Sequence, residues 1–148
     1  TDQNYEMSKF DRLSTLMGRF ALEVKAVSRD EAGLIVPAHT DWQPRAVIYH
    51  PRGQVVDTDD QQVLLAARVE WGGSLNPLLT ALPDTIELGL DNDPELTALI
   101  KLLHAEFLAQ RCGMTTVVNR LGEVLVVRLL RNQIETGTSG PRALSASD

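Results

Sequence analysis

Cysteine is almost absent from this sequence, since Cys112 is the single one among 148 residues. One cysteine cannot form a disulfide within the chain, and we therefore expect a protein of the reducing cytoplasm. The longest apolar run, Val63–Ala67, is, like Val124–Val127, far too short to cross a bilayer, so no membrane partner is expected. The stretch Thr1–Arg12 is polar and charged, unlike a secretory signal peptide.

Basic residues are also scarce, because 14 Lys and Arg face 20 Asp and Glu, for a formal net charge of −6. Affinity for phosphate comes from clustered Lys and Arg, so the composition excludes DNA binding by these residues alone. The hydrophobic content of 43% is sufficient for the core of one domain of this length.

Metal ligands and nucleophiles are few. The three histidines, His39, His50 and His104, show no paired spacing with a carboxylate, so we expect no metal and no other cofactor. Cys112 precedes Gly113 at a predicted helix end, where the helix dipole disfavours a thiolate. No catalytic residue is therefore assigned, and the chain is not expected to be an enzyme.

Short strands fill the first part of the sequence. Apolar residues alternate with others from Phe20 to Ala26, which predicts a half-buried strand. Further strands are predicted over 34–36, where Pro37 interrupts, and over 46–49, 62–71 and 85–90. His50–Gly53 is predicted to be a turn.

Two long helices follow the strands. Asp93 is a favourable N-cap with Pro94 in the first helical position, and Gly113 is a natural stop. A second helix is predicted over 115–135. Gly122 lies in its interior, where glycine is unfavourable, and we expect it to permit the close approach of another backbone. The class is therefore α+β, with a small sheet or barrel followed by a helical pair.

The second predicted helix carries apolar residues on two sides, and both sides must be buried. One side can cover the sheet, while the other needs the first helix or a partner chain. We predict a homodimer formed through this helix. Its interface is the stripe that the sheet does not cover, either Val118, Leu121 and Leu125 or Val127, Leu130 and Ile134, and the sequence does not say which of the two faces inward.

A set of aromatic and polar residues could line a small-molecule pocket, which is usually apolar with a few placed polar groups. Arg52, close to a glycine turn, could bind an acidic ligand. The predicted ligand-binding residues are Trp42, Tyr49, His50, Arg52 and Trp71.

Several strings in this order resemble the N-terminal regulatory domain of AraC-type transcription regulators with a cupin-like barrel. They are FDRLSTLMGRF from Phe10, VIYHPRG from Val47, LLAARVEWGG from Leu64, NPLLTALP from Asn76, and Glu95–Arg131 with its central EFLAQRCG. The tail GPRALSASD resembles the start of a linker to a helix-turn-helix domain. The resemblance implies a cupin-like β-barrel or sheet followed by two long helices.

The resemblance also implies a function and an organisation. The chain would be an effector-sensing and dimerisation domain, with a small-molecule effector, and would reach DNA only through a helix-turn-helix domain absent from this chain. A small metal-dependent cupin enzyme is the alternative. The expected segments are a flexible start at 1–9, the β domain at 10–92, the helical pair at 93–136 and a linker at 137–148.

Overall fold

The computed structural model describes residues 22–53, 62–71 and 80–137. The predicted α+β order is confirmed, with strands first and two long helices last. The predicted segments 1–9 and 138–148 lie outside the described residues, and Gly137 is the last residue of the second helix rather than part of a linker. The elements are β1 (Leu22–Ala26), a 3-10 turn (Arg29–Glu31), β2 (Leu34–Pro37), β3 (Ala46–Tyr49), β4 (Val63–Trp71), β5 (Ile86–Gly89), α1 (Pro94–Ala109) and α2 (Met114–Gly137).

The five strands form one antiparallel sheet in the order β1-β4-β2-β3-β5. The register aligns one residue from each strand in a row across the whole sheet. Side chains directly opposite each other lie on the same face, so this row belongs to one face, and all but the partly buried Ala26 are buried. The row consists of Ala26, Ala67, Leu34, Tyr49 and Ile86.

Pro37 disturbs the pairing of β2 with β4, as its missing N–H requires. Val36 lies opposite Leu65 and Pro37 lies opposite Val63, so Leu64 is an extra residue in β4. The Leu64 carbonyl accepts a hydrogen bond from Nδ1 of His104 at 2.9 Å. His104 therefore ties α1 to the irregular position of the sheet.

The helix boundaries follow local signals, with one correction. Asp93 caps α1 as predicted, because its Oδ1 accepts from the Leu96 N–H at 3.0 Å. The predicted end at Gly113 is wrong, since α1 ends at Ala109 and Gln110 takes a left-handed conformation with φ 50°. The Gln110 N–H bonds to the Glu106 carbonyl. Gly113 lies instead in the turn directly before α2, and its positive φ of 83° is one that glycine adopts readily.

The sheet and both helices share one hydrophobic core. The α2 helix contacts both α1 and β1. It lies so close to β1 that a Cβ on Gly122 would be 2.6 Å from Cγ1 of Val24. The close neighbour is thus a side chain rather than the backbone that the sequence suggested. Asn119 Oδ1 also accepts from the Val24 N–H at 2.7 Å, which fixes the helix against the strand.

Neither of the described helices combines the length and the apolar character that crossing a membrane requires.

Candidate ligand-binding site

Four of the five predicted pocket residues lie at one end of the sheet. Tyr49 ends β3, His50 and Arg52 follow it, and Trp71 ends β4. Both strands run antiparallel to β2, which lies between them, so both end on the same side. We call this side the Tyr49 end. Trp42 lies in the loop before β3, at the opposite end, so a single pocket containing all five residues is not formed.

A hydrogen bond links the two aromatic residues of the Tyr49 end. Trp71 Nε1 donates to the Tyr49 hydroxyl at 3.1 Å. The Tyr49 side chain is buried, and this burial raises the pKa of its phenol above the ordinary value, while the hydrogen bond from Trp71 lowers it to a smaller extent. Tyr49 therefore stays neutral at physiological pH and holds the partly buried Trp71 in one orientation.

Tyr49→Phe should lower the free energy of unfolding by about 1 kcal/mol, because Trp71 loses its acceptor. It should also change the response to alkaline pH. In the wild type the unfolded state releases the phenol proton near pH 10, before the folded state does. The contribution of Tyr49 to stability is therefore constant below about pH 10 and falls above it. Urea unfolding between pH 8 and about pH 11 tests this. If the stability of Tyr49→Phe falls as steeply at alkaline pH as that of the wild type, this prediction is wrong.

Two further pairs connect β3 to the segment before β5. His50 Nε2 lies 3.3 Å from the Thr85 hydroxyl, and Arg52 donates to Asp84 Oδ1 at 2.6 Å. The Asp84 carboxylate is 97% exposed, so the pair is worth little to stability. An anionic ligand could replace Asp84 as the partner of Arg52. The Tyr49 end thus offers an aromatic pair, an imidazole and a guanidinium.

The opposite end of the sheet holds an open groove of about 520 Å³, which the sequence did not reveal. Trp42 belongs to the same loop, with φ 65°, an N–H bonded to the His39 carbonyl, and 52% of its surface exposed. His39 Nε2 lies 3.5 Å from Asp91 Oδ1 across the groove. The walls come from two loops and the start of α1: His39, Gln43, Pro44, Leu90, Asp91, Pro94, Thr97, Ala98 and Lys101.

A small cavity lies between the sheet and the helices. Its volume of about 10 Å³ is close to the minimum for one water molecule, and its walls are almost entirely apolar. Such a space stays dry and does not hold a metabolite. Its lining residues are Val24, Ala26, Leu34, Leu65, Ala67, Leu103, Val118, Gly122, Leu125 and Val126.

A family model described as cupin matches residues 19–135. The chain belongs to the cupin family. The match covers the sheet and both helices, so the cupin-like domain implied by the resemblance is confirmed. Comparisons with curated proteins and with solved structures gave no match.

The histidines of this cupin lie apart from one another. His39 is in the groove, His50 is at the Tyr49 end, and His104 is bonded to the Leu64 carbonyl. Within 22–53, 62–71 and 80–137, no three His, Cys, Asp or Glu side chains are grouped as metal ligands. The residues present do not fit a cupin metal site, which needs several histidines and a carboxylate converging on one point.

The residues of the predicted dimer interface fall into two groups that differ in their exposure. Val118, Leu125 and Leu130 are at most 5% exposed, because they pack in the core that α2 shares with β1 and α1. The surface of these three side chains is already used within the chain, so they are not part of the exposed side of α2. Leu121, Val127 and Ile134 are partly exposed, and their role in a dimer stays a prediction.

Proposed function

We propose that this cupin is the effector-sensing and dimerisation domain of a cytoplasmic AraC-type transcription regulator. In this proposal the longer protein binds DNA through a helix-turn-helix domain that lies outside these residues. Family membership supports the cupin part, and the strings VIYHPRG, LLAARVEWGG and NPLLTALP support the regulator part. No catalytic step is assigned to the chain.

The observation that carries the sensing role is the composition of the Tyr49 end. The ring of Trp71 can stack on a flat ligand, and the Tyr49 hydroxyl fixes that ring. The Arg52 guanidinium is a bidentate donor suited to a carboxylate or phosphate, and its present partner Asp84 is almost fully exposed. We therefore propose an effector that is small, acidic and partly aromatic.

We also infer that an effector bound at the Tyr49 end affects the packing of the core. Tyr49 lies in the residue row that crosses all five strands, and every residue of this row except Ala26 belongs to the hydrophobic core. A ligand at the Tyr49 end thus binds next to the core that positions α1 and α2. In this proposal, the packed residues between the Tyr49 end and the helices carry the signal from effector to dimer.

A thermal-shift screen of small carboxylates, phosphates and aromatic acids tests the proposal. An effector present at about 100 times its Kd stabilises the fold by about 2.7 kcal/mol, which raises Tm by roughly 5 to 10 °C. Arg52→Gln should remove the shift. Trp42→Ala, at the other end of the sheet, is the matched control and should retain it.

The results that contradict the proposal are equally concrete. A hit whose shift survives Arg52→Gln and Trp71→Ala but disappears in Lys101→Ala would place the effector in the groove instead. About one equivalent of iron, zinc or manganese in the purified chain would favour the metal-dependent cupin enzyme. In a mobility-shift assay at physiological salt, residues 1–148 alone should give no sequence-selective shift, whereas the full-length parent should.

A further inference from the structure

The groove at the end of the sheet opposite Tyr49 has no role in the proposed function. One of its walls is a single side of α1, because Pro94, Thr97, Ala98 and Lys101 follow one another at helical spacing. Seven residues of helix span about 10 Å, so this wall is as long as an extended peptide of about three residues. The groove volume of about 520 Å³ is in the usual range for a small-molecule site.

Backbone hydrogen bonds fix the walls of the groove. The Leu90 N–H donates to the Arg45 carbonyl at 3.0 Å, and the Leu90 side chain is buried. The Thr97 hydroxyl donates to the Asp93 carbonyl at 2.9 Å, which leaves its oxygen lone pairs to accept a hydrogen bond from a ligand. A ligand therefore meets a preformed surface, which lowers the entropic cost of binding.

The groove carries charges of both signs. Lys101 is two turns into α1, whereas Asp91 precedes the helix, so the ammonium and the carboxylate lie toward opposite ends of the wall. Asp91 is 79% exposed, and its contact with His39 leaves acceptor positions on its oxygens. A simple anion would be attracted by Lys101 and repelled by Asp91, and a simple cation the reverse. The charges thus favour a ligand with one group of each sign, well separated.

The loop that forms another wall holds a tryptophan in an unfavourable conformation. The Trp42 N–H donates to the His39 carbonyl, which closes a turn, and Trp42 itself has φ 65° in the left-handed region. Glycine or asparagine suits this hairpin position, whereas a bulky residue there is strained. Backbone strain of this kind is concentrated at ligand-binding segments. The Trp42 side chain is half exposed next to Gln43, a residue of the groove wall.

We propose that the groove binds a free, extended peptide of about three residues, with its ammonium group at Asp91 and its carboxylate at Lys101. The Gln43 amide, which has both a donor and an acceptor, and the Thr97 hydroxyl match the peptide groups between the two ends. The Trp42 ring packs on an apolar side chain of the peptide. This site is separate from the proposed effector site and does not depend on it.

NMR titration of the full chain tests the site with three peptides that have free termini: Ala-Phe-Ala, Ala-Tyr-Ala and Ala-Leu-Ala. Saturable shifts of groove residues are expected, with a Kd below about 10 mM. Trp42→Asn, which suits the left-handed conformation, should weaken binding at least about fivefold while circular dichroism and Tm are unchanged. Leu108→Ala is the matched control, because Leu108 is an exposed apolar residue of α1 outside the groove, and it should bind as the wild type does.

Peptides with blocked termini test the orientation. Asp91→Asn should weaken binding of the free peptide about twofold to fivefold, as exposed charge pairs usually do, and should not affect an N-acetylated peptide. Lys101→Gln should weaken the free peptide similarly and should not affect a C-amidated peptide. Arg120→Gln removes an exposed charge of α2 that is outside the groove, so it is the control and should leave all affinities unchanged.

Three results would overturn the inference without affecting the proposed effector site. The first is the absence of saturable shifts with all three peptides up to about 10 mM. The second is equal affinity of the free peptide for the wild type, Trp42→Asn, Asp91→Asn and Lys101→Gln. The third is a small acid that needs Lys101 and binds more tightly to Asp91→Asn, since the groove would then be a site for anions.

Discussion

Leu125→Glu should unfold the domain, whereas Val124→Glu, one residue earlier, should leave it folded. Leu125 is 1% exposed and lies in the core cluster, while Val124 is 47% exposed. A carboxylate at Leu125 would lose its hydration without gaining a partner, at a cost of several kcal/mol. Native stability is typically about 5 to 15 kcal/mol, so this loss is a large share of the total.

The measurement is urea unfolding followed by circular dichroism. Val124→Glu should lie within about 0.5 kcal/mol of the wild type, as surface substitutions usually do. Leu125→Glu should lose the cooperative transition or shift its midpoint far toward zero denaturant. Comparable stability of the two variants would mean that α2 does not face the core as described here.

The contrast between these neighbours shows where sequence patterns reach their limit. Periodicity identified α2 as apolar on two sides, but it left open whether the second side meets α1 or a partner chain. In the structure α2 contacts both β1 and α1, so two apolar stripes are used within one chain. Which apolar stripe of α2 a neighbouring element covers depends on how α2 is oriented relative to α1 and β1. This orientation is not encoded in any local sequence pattern.

Local signals were more successful. Ala46–Tyr49 was predicted at its observed bounds, because a short β-branched and aromatic segment is enclosed by turn residues. The cap at Asp93 followed from Asp-Pro-Glu at a helix start. These features depend on residues a few positions apart, so the sequence contains all the information they require.

The candidate site includes one feature that the sequence could predict and one that it could not. Trp42 precedes β3 and Tyr49 ends it, so a strand between them should have placed the two residues at opposite ends; this signal was available in the sequence. The groove beside Trp42 was not predictable in the same way. Its walls at Pro44, Leu90 and Lys101 come from segments far apart in the chain, and only the register of β3 with β5 brings them together.

Gly122→Leu should destabilise the domain by about 3 kcal/mol or more, which is at or above the upper end for added volume in a packed core. A Cβ at this position would lie 2.6 Å from Cγ1 and 2.7 Å from Cβ of Val24. Val24 cannot rotate away easily, because its side chain is β-branched and its N–H is bonded to Asn119. Either α2 or β1 has to move.

Even Gly122→Ala should destabilise the domain, although alanine favours a helix interior by about 1 kcal/mol relative to glycine. The clash with the branched Val24 side chain exceeds that gain, so the sign of the change is the informative result.

Val24→Ala alone should cost about 1 to 2 kcal/mol through the cavity it leaves. In the double variant, the methyl group added at position 122 of α2 partly fills the cavity that Val24→Ala leaves in β1. In a urea-unfolding double-mutant cycle, the pair should be more stable than the sum of the single changes predicts, by at least about 1 kcal/mol. Additive effects, or a Gly122→Ala variant more stable than the wild type, would show that α2 and β1 are not in contact at this point.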